Sequence, residues 1–312
     1  MTPRPRISVA LPTYAATDPG NWNRVFSLAR AADDAGIDRV VVSDHIAFGE
    51  DLGAYSRPEV GGVDGGRQPT GPDGYWLEPL TVLTAVAAQT TRVRLGTYIL
   101  LAALRRPAVL AKQVATLDVI SSGRVDLGVG IGWQREEYEV AGLDFGSRGL
   151  LLDRSLEVCQ LLWREQRASL VSPELSFDGI HAMPKPVQRG GVPIWVSGRC
   201  NASVARRLAR FGSGWIPWGD DASDLLASIP RMRAAVDSAG GDGSALAVLG
   251  TAIARRRDDE SLDLGATLDR LARLVDAGVT DLLIQTRAPS AYAEALDTYS
   301  WIVDAFAGAT VA

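Results

Sequence analysis

The chain has only two histidines, His45 and His181, and they differ in what surrounds them. His45 directly follows a β-branched run, Asp38 to Ser43, with Asp44 beside it to offer a carboxylate. A neutral imidazole can act as acid, base or hydrogen-bond donor near neutral pH, so this pair is the leading candidate for proton transfer. The plainer reading is a structural histidine held by hydrogen bonds. A position just after a strand, where parallel α/β folds place their chemistry, favours the catalytic one. His181 has no acidic residue within two positions and carries much less. With two distant histidines, no HExxH and no CxxC spacing, a metal site is not expected.

Three further groups could bind rather than react. Gly128, Gly130 and Gly132 alternate before Trp133. That spacing suits either tight strand packing or close backbone approach to a flat ring. Ser197-Gly198-Arg199-Cys200-Asn201 leaves a strand and opens a helix. It could bind a phosphate through N–H groups at the positive end of the helix dipole, or simply be a helix start capped by Asn201. Trp76, Trp133 and Trp218 fall at strand ends or helix starts, where an aromatic lines a pocket or packs a lid.

Hydrophobic periodicity supplies the elements that must position these groups. Strands are predicted over Arg6–Leu11, Asp38–Ser43, Arg92–Leu101, Arg124–Trp133, Pro193–Ser197, Gly214–Trp218, Leu246–Ala254 and Asp281–Gln285. Helices are predicted over Asn21–Ala35, Trp76–Gln89, Pro107–Ile120, Leu150–Glu165, Asn201–Phe211, Ala222–Ala239, Leu264–Ala277 and Ser290–Phe306, with a short turn over Glu136–Gly142. Strict alternation of strand and helix fits one closed (β/α)8 TIM barrel spanning residues 1–312. A long loop, 46–76, rich in Gly, Pro and Asp, reads as a substrate lid, and 168–191 reads as an insertion. A doubly wound sheet is the rival, but the first strand-helix turn lacks GxGxxG, and Trp133 stands where the third glycine of the Gly128-x-Gly130 series belongs.

Composition narrows the class. Hydrophobic residues at 46% and charged residues at 22% describe an ordinary folded chain. A net charge of −5, with no basic run beyond Arg255-Arg256-Arg257, gives no footprint for nucleic acid. No apolar run reaches membrane-spanning length and no secretion signal is evident, so no membrane partner is expected, and a cytoplasmic location is. There is no Walker loop and no GxSxG elbow, which sets aside NTPases and common serine hydrolases.

Taken together, these segments resemble the bacterial luciferase-like flavin and deazaflavin oxidoreductases. The resemblance rests on Asp44-His45, Trp76-Leu77-Glu78-Pro79-Leu80-Thr81, Arg92 to Thr97, Arg106-Pro107 with Ala111-Lys112, Thr116-Leu117-Asp118, Ser122-Gly123-Arg124, Gly128 to Trp133, Lys185-Pro186 and Pro193 to Gly198. Its wording is most similar to the branch that uses coenzyme F420. The resemblance implies a strand-end bulge with a cis bond at Tyr98-Ile99 behind the cofactor ring, and His45 at the reacting position. It places Asp44 and Thr97 at the cofactor headgroup or tail, Gly130, Ile131, Gly132 and Trp133 along its edge, and Ser197, Gly198 and Arg199 at its phosphate. Trp76, Glu78 and Trp218 would line the substrate side. The expected reaction is hydride transfer between the deazaflavin and a small organic substrate. A flavin mononucleotide (FMN) monooxygenase is the alternative, and a non-catalytic flavin-binding protein is the alternative of another class. Trp133 and Leu101 replace a carboxylate and a hydroxyl residue found in some deazaflavin members, which argues against sugar-phosphate oxidation. A homodimer is compatible with this reading.

Overall fold

The structure is a computed structural model that describes residues 4–61, 66–255 and 263–309. Residues 62–65 of the long loop, and Arg256 and Arg257 of the basic run, lie outside the described residues.

Eight parallel strands close a barrel: β1 (Arg6–Ala10), β2 (Arg39–Val42), β3 (Arg94–Thr97), β4 (Val125–Val129), β5 (Ile194–Gly198), β6 (Gly214–Pro217), β7 (Ala247–Ile253) and β8 (Asp281–Gln285). Each strand pairs with the next in chain order, and β8 returns to β1 with Arg6 opposite Asp281. The helices that follow them are α1 (Asn23–Ala35), α2 (Pro79–Ala87), α3 (Pro107–Ile120), α4 (Arg148–Arg164), α5 (Ala202–Phe211), α6 (Leu225–Ser238), α7 (Leu264–Asp276) and α8 (Tyr292–Ala309). This is the expected (β/α)8 arrangement.

Local chemistry sets the boundaries. Gly36, left-handed at φ 84°, ends α1, a conformation glycine adopts without strain. Pro79 and Pro107 each open a helix, where a missing N–H is harmless. Two boundaries differ from expectation. Trp76 belongs to a two-residue strand paired with Tyr14-Ala15, and α2 begins only at Pro79 because Glu78 caps it, accepting from the Thr81 N–H. The predicted Ala222–Ala239 helix is split into Asp220–Ser223 and α6 because Asp224 adopts a non-helical backbone and caps Ala227. The insertion holds a small antiparallel pair, Ala168–Leu170 with Phe177–Ile180.

The main core lies between strands and helices, with Leu28, Leu83, Leu95, Leu110, Leu127 and Leu152 fully enclosed. A smaller layer of Val41, Trp195, Ile216, Leu249 and Leu283 fills the upper barrel interior, and Tyr98 and Ile99 rest on it. Deeper inside, Arg39 stacks on Trp195 at 4.7 Å and pairs with Asp281 and, at 3.6 Å, with Asp126. This ionic plug fills the amino end of the barrel interior.

Candidate active site

The carboxyl ends of the strands surround a cavity of about 1230 Å³. Its floor comes from an interruption in β3. After Thr97 the chain bulges: the Tyr98 N–H donates to Val42 O at 2.7 Å, and the Leu100 N–H to Gly128 O at 2.7 Å. The Tyr98-Ile99 peptide between them is cis. Gly128 makes this possible, since a Cβ there would stand 2.0 Å from the Thr97 carbonyl oxygen. Tyr98 and Ile99 line the cavity from below, and the Tyr98 hydroxyl lies 3.3 Å from Thr251 Oγ1. Thr97 does not share the floor. Its hydroxyl donates to Gly128 O at 2.6 Å, which turns the side chain into the barrel wall.

Gly130, Ile131, Gly132 and Trp133 form one wall. A Cβ on Gly130 would sit 2.7 Å from Ile99 Cδ1, and one on Gly132 would sit 2.9 Å from Leu101 Cδ2 at a left-handed φ of 70°. The wall is therefore bare backbone against the floor, a surface that accepts a flat ring. Trp133 stacks on Tyr55 at 5.0 Å, and Tyr55 faces Trp218 at 6.1 Å. Burial, with Tyr98 nearby, pushes the Tyr55 hydroxyl up to about 12. Tyr55 comes from Gly53–Ser56, a 3-10 turn of the long loop. The loop is tied down further on, where Trp218 Nε1 donates to Val60 O at 2.9 Å and Arg199 to Pro58 O at 2.6 Å.

His45 projects into this space beneath Phe48 and Trp76, with ring centroids 4.6 and 4.8 Å away. Its carboxylate partner is not Asp44. Asp44 is buried and accepts from the Leu101 N–H at 2.8 Å and from Arg105 at 2.6 and 3.1 Å. The group 3.2 Å from His45 Nδ1 is Glu137 Oε1, from the short helix Arg135–Val140. Adjacent residues on one backbone diverge here, because Asp44 turns toward the β3–α3 connection and His45 toward the short helix after β4. Asp44 still lines the cavity edge, as does Trp76, whose Nε1 donates to Thr70 Oγ1 at 3.0 Å. Glu78 does not line the cavity. It is exposed, caps α2 and pairs with Arg105 at 2.9 Å, so its expected substrate contact gives way to a structural one. Burial opposes ionisation of Glu78, but the Thr81 N–H and Arg105 outweigh it and hold the carboxyl below its usual range.

Opposite His45, Ser197, Gly198 and Arg199 line the cavity where β5 gives way to α5. The capping reading of this turn holds. Asn201 caps α5 by accepting from the Ser203 and Val204 N–H groups at 3.0 Å each, and Asp221 takes the Cys200 N–H at 2.6 Å. Arg148 and Arg207 line the cavity beside Ser197, Gly198 and Arg199, and the Arg199 guanidinium donates to Pro58 O at 2.6 Å. Arg207 is buried and braced by Asp153 at 2.5 Å.

Sequence reading missed Glu137, Arg105, Arg148, Arg207 and Tyr55. None carried a local signal: Glu137 lies in the predicted Glu136–Gly142 turn, and its burial appears only in the fold. Among the described residues no group of three or more His, Cys, Asp or Glu is placed to hold a metal, and no helix is long and apolar enough to cross a membrane.

Comparison with known proteins places this geometry. An uncharacterized protein of Mycobacterium tuberculosis is 30% identical over 271 residues, 84% of this chain and 84% of its own. The F420-dependent glucose-6-phosphate dehydrogenase of Segniliparus rotundus is 30% identical over 246 residues, 76% of this chain and 65% of its own. Among solved structures, an F420-dependent secondary alcohol dehydrogenase with an F420-acetone adduct superposes at TM-score 0.75 and 17% identity, covering 97% of this chain and 99% of that one. The oxygenating constituent of a Pseudomonas putida 3,6-diketocamphane monooxygenase, in complex with FMN, superposes at 0.71 and 16% identity, covering 98% of each. These two structures share the fold. The model for luciferase-like monooxygenases matches residues 6–306, and the chain belongs to that family of enzymes.

Proposed function

We propose that this protein is an oxidoreductase that moves a hydride between coenzyme F420 and a small organic substrate. The observation that carries the reading is one imidazole, His45, facing a cavity of about 1230 Å³ whose floor and one wall are bare enough for a flat ring. That volume exceeds what a single small ligand needs, typically ~300–1,000 Å³, so it suits a ring cofactor and a second molecule together.

The residues fit such a group. The Gly130 to Gly132 backbone and the Tyr98-Ile99 floor would hold the ring flat, and a side chain at Gly130 or Gly132 would fill the cradle. Ser197, Gly198 and Arg199 would hold the phosphate. When bound, the deazaflavin supplies or accepts the hydride at its carbon 5. His45 gives or takes the accompanying proton at Nε2, the ring nitrogen that does not face Glu137. Trp76, Trp133 and Trp218 exclude water and orient the substrate. The F420-dependent name of the Segniliparus relative supports this cofactor. An FMN-dependent monooxygenase is the second reading, supported by the shared fold of the FMN-bound 3,6-diketocamphane monooxygenase.

Replacing His45 with Ala tests the proposal. Turnover falls by ~10²–10⁴ with cofactor affinity within a few-fold. Cofactor binding with no turnover of any carbonyl or alcohol substrate by the unmutated protein would make it a binding protein instead.

A further inference from the structure

We infer that Glu137 is the positioning residue for His45, holding the imidazole with its proton on Nδ1 so that Nε2 is the atom that exchanges a proton with substrate. The inference rests on the proposed role of His45.

Glu137 is 0% exposed, and its Oε1 accepts from the Ile46 N–H at 2.9 Å and lies 3.2 Å from His45 Nδ1. Its Oε2 has no hydrogen-bond partner among the described residues. Burying a carboxyl group with one oxygen unsatisfied is unfavourable, so its presence calls for a reason beyond packing. The surroundings fix its aim. The neighbouring Gln134 grips the same loop, donating to Ala47 O at 2.8 Å and accepting from the Gly49 N–H at 3.2 Å. Tyr138, next along, donates to Ile131 O at 2.5 Å. Gln134 and Glu137 thus tie the segment after β4 onto residues 45–49, while Tyr138 ties it back to the end of β4.

Among the described residues the aromatic neighbours of the His45 ring are Phe48, Trp76 and, at 6.1 Å, Trp133. None of these accepts an N–H as a carboxylate does, and Asp44 is committed to Arg105. The tautomer is therefore set by Glu137, as a second partner sets the role of a catalytic imidazole. In substrate oxidation Nε2 would take the hydroxyl proton, with the bound cofactor as the hydride acceptor. The imidazolium that forms then faces the Glu137 carboxyl group at Nδ1. In reduction Nε2 returns that proton to the substrate oxygen.

With only His45 and His181 in the chain, ¹⁵N-histidine labelling gives two assignable rings without any cofactor. The unmutated protein at mildly alkaline pH should show one ring in a single Nδ1–H tautomer, absent in His45→Ala. In Glu137→Gln a neutral amide can take either role toward Nδ1, so that ring becomes a tautomer mixture. Turnover of Glu137→Gln falls ~10–10²-fold, with KM and cofactor affinity within a few-fold, and Glu137→Asp, should Gln unfold the turn, restores part of the rate. An Nε2–H tautomer in the unmutated protein, or unchanged turnover in Glu137→Gln, overturns the inference. His45→Ala measured alongside separates the two failures: if it too is fully active, the proposed function of His45 has failed, and if it is inactive, only the positioning has.

Discussion

Asp44 offers the sharpest test of what is structural and what is chemical in this cavity. It was expected at the cofactor, yet its carboxylate is bonded to Arg105 and the Leu101 N–H. The side chains of Asp44 and Arg105 are 1% and 13% exposed, which makes this a buried ion pair. Removing one partner of such a pair typically costs ~3–5 kcal/mol, because the other charge is left without its counterion. Arg105 would retain Glu78 at 2.9 Å, placing the electrostatic loss near the low end, ~3 kcal/mol. An unsatisfied Leu101 N–H adds ~1–2 kcal/mol. Asp44→Ala is therefore expected to destabilise by ~4–5 kcal/mol, a fall in Tm of ~8–10 °C at ~2 °C per kcal/mol for a chain this long. Asp44→Asn, which keeps an acceptor for Leu101, should lose less. Thermal unfolding by calorimetry or circular dichroism measures both. An Asp44→Ala protein with unchanged Tm but cofactor affinity reduced more than ~100-fold would refute this reasoning and make Asp44 a ligand.

Gly128→Ala forces a Cβ to 2.0 Å from a backbone oxygen, so it should lose more than ~3 kcal/mol and most activity, whereas Gly142→Ala, with nothing within 4 Å, loses ~1 kcal/mol; equal Tm values for the two would contradict it. Tyr55→Ala removes the ring between Trp133 and Trp218 and should raise KM several-fold with Tm within ~2 °C, measured by steady-state kinetics and thermal melts. Burial works against ionisation of Asp126, but the Arg94 hydrogen bond and Arg39 outweigh it and hold the folded-state pKa down. The group is therefore charged and stabilising above its unfolded value near ~4, and that stability is lost as pH falls through the lower folded value. Tm should stay flat from pH 7 to about 5 and drop below about 4, and Asp126→Asn should flatten that drop.

The barrel was legible because parallel strands buried on both faces read as short apolar runs, and because Gly36, Pro79 and Pro107 mark helix ends by backbone chemistry alone. Asp281–Gln285 and Pro107–Ile120 match their predicted bounds for that reason. Trp76 was misplaced on a helix although Glu78-Pro79 is itself a start signal. The site was legible where residues follow strand ends, as His45, Gly130 to Trp133 and Ser197 to Arg199 do. It was not legible where function depends on pairing across the fold. His45 meets Glu137 across 92 positions and Asp44 meets Arg105 across 61. Neighbourhood in sequence instead suggested Asp44 for His45. Tyr55 sits in a loop whose docking depends on Trp218 and Arg199, contacts that no local periodicity encodes.

The central claim is the cofactor and the reaction it serves. A side-by-side titration of the cofactor-free protein with F420 and FMN, followed by oxygen uptake with each reduced form, tests it most directly. The account predicts tighter binding of F420 and substrate-dependent hydride transfer without oxygen consumption. Tight FMN binding with substrate-dependent oxygen uptake, and no measurable F420 binding, would contradict it and make the protein a monooxygenase.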